Sequence, residues 1–278
     1  MNRPSATSTE LQAEGIRTAI WDEEAEPDNP FVAVRSYCRG YDVFGELLGA
    51  VSSSDYLYLL LRGELPDPAA STALQILAVA LANPGPRDPS VHAAMAAGVG
   101  GSTAASMLMA ALAVGAGSQG GAREVFDAMA SLQSNAPPPR PTDIWPEPAA
   151  TPGFSDQARQ CPLPVRQTLA RLTALLPEGR TADLHARREA LEAERGAPLA
   201  LTGVVAAALT DLGFSAEEGE MLYLLLRLPG AAAHALEQKR QGFRHFPFFS
   251  QIVEDDPDAR TNPDHADNLV ANPGEAQP

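Results

Sequence analysis

Between Gly115 and Gly121 four glycines stand in seven positions, and this break separates the most apolar stretch of the chain from an amphipathic one. Upstream, from His92, runs a long series of small and apolar residues. Downstream, Val125, Phe126 and Met129 fall at helical spacing, which predicts a new helix beginning near Gly121. Glycines at 115, 117, 120 and 121 permit positive φ and a close approach of backbone to a ligand. The helix that follows exposes unpaired N–H groups at its start. Two readings stay open at this point: a cradle for an anion, or a tight corner between two helices that holds no ligand.

Alanine and leucine dominate the composition while β-branched and aromatic residues are sparse, so an all-α fold is expected. At 278 residues the chain can hold one large domain or two modest ones. A net charge of −15 argues against nucleic acid and against an anionic membrane surface. Residues 254–275 carry seven of the acids against the single Arg260, so any anionic ligand must be held by local arginines and not by the overall field. Cys38 and Cys161 show neither metal-ligand spacing nor a disulfide framework, and no metal site is expected. The first fifteen residues are polar, unlike a signal peptide. Glycine and serine interrupt the apolar run at 92–116, which reads as buried helix. A soluble, cytoplasmic protein is expected.

Taken in order, residues 1–30 read as an acidic arm, with Pro27 and Pro30 limiting any helix. Phe31 to Tyr41 reads as a short strand, and Asp42 as the cap of a short helix through Leu48. Ser52-Ser-Ser54 caps an apolar helix that ends at Gly63. Asp67-Pro68 and Asp88-Pro89 open the next two helices, and a break at Gly98–Gly101 precedes another that runs to Val114. Pro137 through Pro152 is a proline-rich connector. Helices are then expected over 164–176, 182–195 and 199–212. Ser215-Ala-Glu-Glu218 is a capping box that opens a helix kinked at Pro229. Gln241 to Phe249 is an aromatic, basic segment, and disorder is expected beyond Val253.

Several separated motifs carry a resemblance. Arg39-Gly-Tyr-Asp-Val43, followed by Tyr56-Leu-Tyr-Leu-Leu-Leu-Arg-Gly-Glu-Leu-Pro66, resembles the opening signature of the citrate synthase superfamily. Gly120-Gly-Ala-Arg-Glu-Val125 is similar to that family's active-site turn. Gly213, Arg227, Gly230 and Ala233-His-Ala-Leu-Glu237 are similar to its penultimate helix. The overlap covers roughly residues 35–250 in consistent order, most like the short citryl-CoA lyase branch. The resemblance implies a citrate-synthase-like fold in which residues 30–118 and 214–252 form a large helical domain. A small helical domain of residues 119–213 is inserted within it, the arm is 1–30, and the acidic tail is 253–278.

The resemblance also implies chemistry: the reversible Claisen-type joining and splitting of an acyl-CoA and a small carboxylate. A coenzyme A thioester is then the substrate, no cofactor is tightly bound, and the assembly is a homodimer. The family uses an aspartate and two histidines for this work, and all three positions differ here. Gln119 stands for the histidine before Gly-Gly-Ala, Asp156 ends the segment matched to Gly-Phe-Gly-His, and Thr202 stands at the aspartate. Gln119 can donate a hydrogen bond but cannot shuttle a proton, and Thr202 has no accessible pKa. His245, among phenylalanines, is a replacement acid or base, or an aromatic plug at a subunit interface. His234 reads as a structural histidine. Arg227 stands at the family's carboxylate-binding position, Arg244 resembles an arginine that reaches ligand across the dimer, and Arg166 resembles a third. The planar guanidinium suits a carboxylate, and ion pairing within the protein is the alternative for each. Two functions follow: a divergent carbon–carbon lyase or synthase, or a non-catalytic relative that binds ligand or regulates a paralogous subunit.

Overall fold

Short polar side chains set most of the helix starts. In the computed structural model, which describes residues 17–134, 151–155 and 157–246, Ser52 and Asp55 form a reciprocal capping box at the start of α1 (Ser53–Arg62). Asp67 caps α2 (Pro68–Ala82), Asp88 caps α3 (Pro89–Val99) and Thr103 caps α4 (Ala104–Gly115). Beyond the glycine turn lie α5 (Ala122–Ser134), α6 (Leu163–Leu175), α7 (Arg180–Arg195) and α8 (Leu201–Asp211). The expected box of Ser215 and Glu218 opens α9 (Ala216–Gln241), which continues as one helix through Pro229. Most of the 137–152 connector, Asp156 and the tail from 253 lie outside the described residues, as does 1–16 of the expected arm.

The rest of that arm holds a strand that the sequence did not suggest. Asp22–Glu26 is a strand, β1, paired antiparallel with β2 (Asn29–Cys38), which pairs in turn with β3 (Tyr41–Asp42). All five β1 residues are exposed and four are acidic, so neither alternation nor β propensity marks them. Hydrogen bonding to β2 across a two-residue connection makes the strand. The helix expected after Asp42 is a single π-helical turn, Val43–Leu47, closed by the Leu48 N–H donating to the Val43 carbonyl at 3.0 Å.

Helix α9 is the element on which the others lean: it packs against α2, α3, α4 and α5, while α8 packs on α5 and α7, and α6 on α2. Small residues permit the closest crossings. A Cβ at Gly98 would stand 2.6 Å from the Ala235 carbonyl oxygen, so α3 meets α9 backbone to backbone. One apolar cluster joins Leu74 and Leu77 of α2 to Val125, Leu169, Val204 and Leu222. It thus draws side chains from both segments expected to form separate domains. A second cluster, with Val91, Met107, Ala111 and Ala235, is built between α3, α4 and the end of α9. No helix among the described residues is long and apolar enough to cross a membrane.

One cap is supplied from elsewhere in the chain. Gly179, at φ +102°, gives α7 no side-chain acceptor. Asp211, at the end of α8, accepts instead from the Arg180 and Thr181 N–H groups at 2.6 and 2.8 Å. Asp211→Ala is therefore expected to cost about 1–2 kcal/mol. Urea unfolding should show a lowered midpoint at unchanged m, with α7 amides the first to exchange faster.

Candidate functional site

The glycine turn is locked from both sides through Gly120. Its φ of +72° is one that glycine adopts without strain. On the N–H side it donates at 2.5 Å to Oε2 of Glu124, which lies in the first turn of α5 near that helix's positive end. The other Glu124 oxygen accepts from the Gly153 N–H at 3.0 Å and from the Thr202 hydroxyl at 2.6 Å. Glu124 is only 7% exposed, so these three donors replace the water that burial removes. One carboxylate thereby ties together the turn, the 153–155 segment and the start of α8.

Glycine makes the last of these contacts sterically feasible. Gly153 and Gly203 meet so closely that a Cβ at Gly153 would stand 2.8 Å from the Gly203 Cα. The same segment pairs with the chain entering α8. Ala200 N–H donates to the Gly153 carbonyl at 2.9 Å, Ser155 N–H to the Pro198 carbonyl at 3.0 Å, and Phe154 bridges Leu199. That pairing is why α8 begins at Leu201 and not at the expected Leu199.

On the other side, the Gly120 carbonyl accepts from the Tyr223 hydroxyl at 2.9 Å and from Arg227 Nη1 at 3.2 Å. Arg227 Nη1 also donates to Tyr223 Oη, and Nη2 donates to Asp88 Oδ2. Burial pushes the Tyr223 phenol up to about 12 despite the nearby Arg227 charge, so the hydroxyl remains a donor. Asp88 Oδ1 faces the other way, accepting from the Ser90 N–H at 3.0 Å and the Ser90 hydroxyl at 2.5 Å. Burial alone would raise the Asp88 pKa. Hydrogen bonds from Ser90 and Arg227, together with the Arg227 charge, outweigh burial and hold it below the ordinary value.

The expected site residues divide into two groups. Gln119 is exposed and adjoins Gly120, while Thr202 is 3% exposed with its hydroxyl proton directed at Glu124. Asp156 lies outside the described residues, although its neighbour Ser155 belongs to the segment that Glu124 holds. Arg227 is buried and ion-paired with Asp88. Arg166 is exposed on α6, and Arg244 and His245 are exposed on the 3₁₀ turn Phe243–His245 that follows α9. His245 Nδ1 lies 3.0 Å from the Gln241 carbonyl, and the Phe246 ring lies 5.3 Å from that of His92. His234 Nε2 lies 2.9 Å from Asn83 Oδ1.

Three residues that organise the site were not read as site residues in the sequence: Glu124, Tyr223 and Asp88, the last read there only as a helix start. An acid three or four positions into a helix that follows a glycine turn is the signal for Glu124. Its long-range partners left no local trace. The turn therefore offers an anion less than its glycines suggest, because the Gly120 N–H already holds the chain's own carboxylate. Gln119, the residue before Gly120, is exposed.

The fold is similar to that of solved citryl-CoA and ATP citrate lyases. The citryl-CoA lyase of Hydrogenobacter thermophilus superposes with a TM-score of 0.63 at 20% identity, over 89% of this chain and 99% of that one. The ATP citrate lyase of Methanothrix soehngenii, solved in complex with citrate and coenzyme A, gives 0.63 at 17% identity over 91% of this chain, which spans only 43% of that one. A variant ATP citrate lyase of Methanosaeta concilii in complex with (3S)-citryl-CoA gives 0.62 at 17% identity, over 91% of this chain and 43% of its own. No family model matches the sequence, and no curated protein does.

Two outcomes test the two sides of the lock. Glu124→Ala leaves three donors, two of them buried, without an acceptor and should cost about 3 kcal/mol, whereas Thr202→Val should cost only about 1 kcal/mol, read by urea denaturation. Because the folded pKa of Asp88 lies below its ordinary value of 3.8, its stabilisation is full above that pH and is lost as pH falls through the folded value. Asp88→Asn should therefore lower stability at neutral pH and show a flatter acid limb than the wild type below about pH 4.

Proposed function

We propose that this chain is a coenzyme A thioester protein of the citryl-CoA lyase kind, joining or splitting the carbon–carbon bond between an acyl-CoA and a small keto acid. The observation that carries the reading is the convergence of the Gln119 turn, the segment before Asp156 and Thr202 on Glu124. In the splitting direction the β-hydroxyl gives up its proton and the carbon–carbon electron pair passes to the thioester as an enolate. The α-carbon then regains a proton. Joining runs the same steps in reverse. Gln119 hydrogen-bonds the enolate oxygen, Asp156 carries the proton, and His245 is a second acid–base group. Arg166, Arg227 and Arg244 hold carboxylates, with Arg244 reaching across a homodimer. The protein acts in the cytoplasm, with the ligand between a large domain of 30–118 and 214–252 and a small one of 119–213.

Thr202 favours a second reading. Its hydroxyl cannot stand in for a carboxylate base, and its proton is committed to Glu124. On that reading the chain binds the thioester or carboxylate without turnover, or regulates a catalytic paralogue.

Incubation of the purified chain with citryl-CoA, followed by chromatography for acetyl-CoA and oxaloacetate, separates the two. The first reading expects cleavage that falls about a hundredfold in Gln119→Ala and in Asp156→Asn. A melting temperature raised by coenzyme A thioesters without any cleavage supports the second reading and overturns the first. A flat response in both assays overturns the first reading and the ligand-binding form of the second, and favours a scaffold or partner role.

A further inference from the structure

We propose that Arg227 is a carboxylate site whose resident occupant is the chain's own Asp88, so that a ligand carboxylate enters only by displacing it. The proposal rests on the reading of Arg227 as a ligand-binding group and adds how that site is regulated.

The geometry of the pair supports exchange. Arg227 is 8% exposed, and Asp88 reaches it through Oδ2 on Nη2 alone, because Oδ1 is held by Ser90 at the cap of α3. Arg227 Nε is buried and has no hydrogen-bond partner among the described residues. A guanidinium edge accepts a carboxylate best through two parallel N–H···O bonds. A carboxylate not tethered to α3 can span Nη2 and Nε and satisfy the nitrogen that Asp88 leaves unmatched. Nη1 continues meanwhile to hold Tyr223 and the Gly120 carbonyl.

Space requires displacement and not addition. The cavity beside Arg227, lined by Ser90, Ala111, Gly115, Leu224 and Ala231, measures about 10 Å³, which is room for one water molecule. Asp88 ends the connection between α2 and α3, where Pro84, Gly85 (φ +88°) and Pro86 replace regular structure. The His92 N–H bonds the Asp88 carbonyl at 2.9 Å, so withdrawing the side chain alone leaves the backbone of α3 intact. A bound carboxylate would thus trade the cap of α3 for a forked contact at Arg227. Through Arg227 the exchange would be felt at Gly120, whose N–H is the Glu124 donor.

Chemical rescue tests the proposal. Asp88→Gly keeps an acceptable cap residue but removes the resident carboxylate. Its melting temperature should fall by several degrees. Sodium formate at about 100 mM should restore at least half of that loss saturably, while equimolar sodium chloride should not. The response should vanish in Asp88→Gly combined with Arg227→Met. No difference between formate and chloride, or a formate response that survives Arg227→Met, overturns the proposal.

Should Asp88→Gly fail to fold, the wild-type chain labelled with ¹⁵N-arginine provides the measurement. Citrate titrated at constant ionic strength should shift the Arg227 Nε–H resonance saturably, and an unmoved resonance overturns the proposal. Cleavage of citryl-CoA with an unmoved resonance would leave the proposed reaction standing and this inference refuted. A shifted resonance without cleavage would do the reverse.

Discussion

The Glu124 carboxylate is the interaction on which the centre of this molecule depends. It is almost fully buried, and its two oxygens are claimed by a turn, an extended segment and a helix that are otherwise distant in sequence. Desolvating a carboxylate is costly, and a charge so placed persists only where donors surround it. The cost makes the arrangement specific: moving any one of the three segments leaves the charge, or a buried donor, unmatched.

Gly120 links this carboxylate to a second network. Its N–H faces Glu124, and its carbonyl faces Tyr223 and Arg227, which reach on to Asp88 at the cap of α3. The α9 helix carries both Tyr223 and Arg227 one turn apart, so the element with the widest packing also presents the groups that grip the turn. A non-glycine residue at Gly120 would be strained at φ +72°. The turn therefore has little freedom to relax around a new partner, and Gln119, the residue before it, is displayed from a fixed base.

Much of the fold was legible because its signals are local. Ser52, Asp67, Asp88 and Ser215 precede their helices in the sequence as they do in space, and Gly63 closes α1 in the left-handed conformation. β1 was not legible, since its Asp-Glu-Glu-Ala-Glu residues contribute backbone pairing and no apolar face. The start of α8 was displaced by a pairing with residues 153–155 that no local pattern announces. The site was half legible. Motif order pointed to Gln119, Thr202 and Arg227. That Arg227 faces Asp88, and that Thr202 faces Glu124, depends on contacts 139 and 78 residues apart.

The claim that one carboxylate unites three segments is tested most directly by native-state hydrogen exchange at Gly120 and Gly153. The account predicts that both amides open with the same free energy in the wild-type chain and that Glu124→Gln speeds both together, ahead of α2 and α6. Independent exchange of the two amides, or protection unchanged by Glu124→Gln, would contradict it.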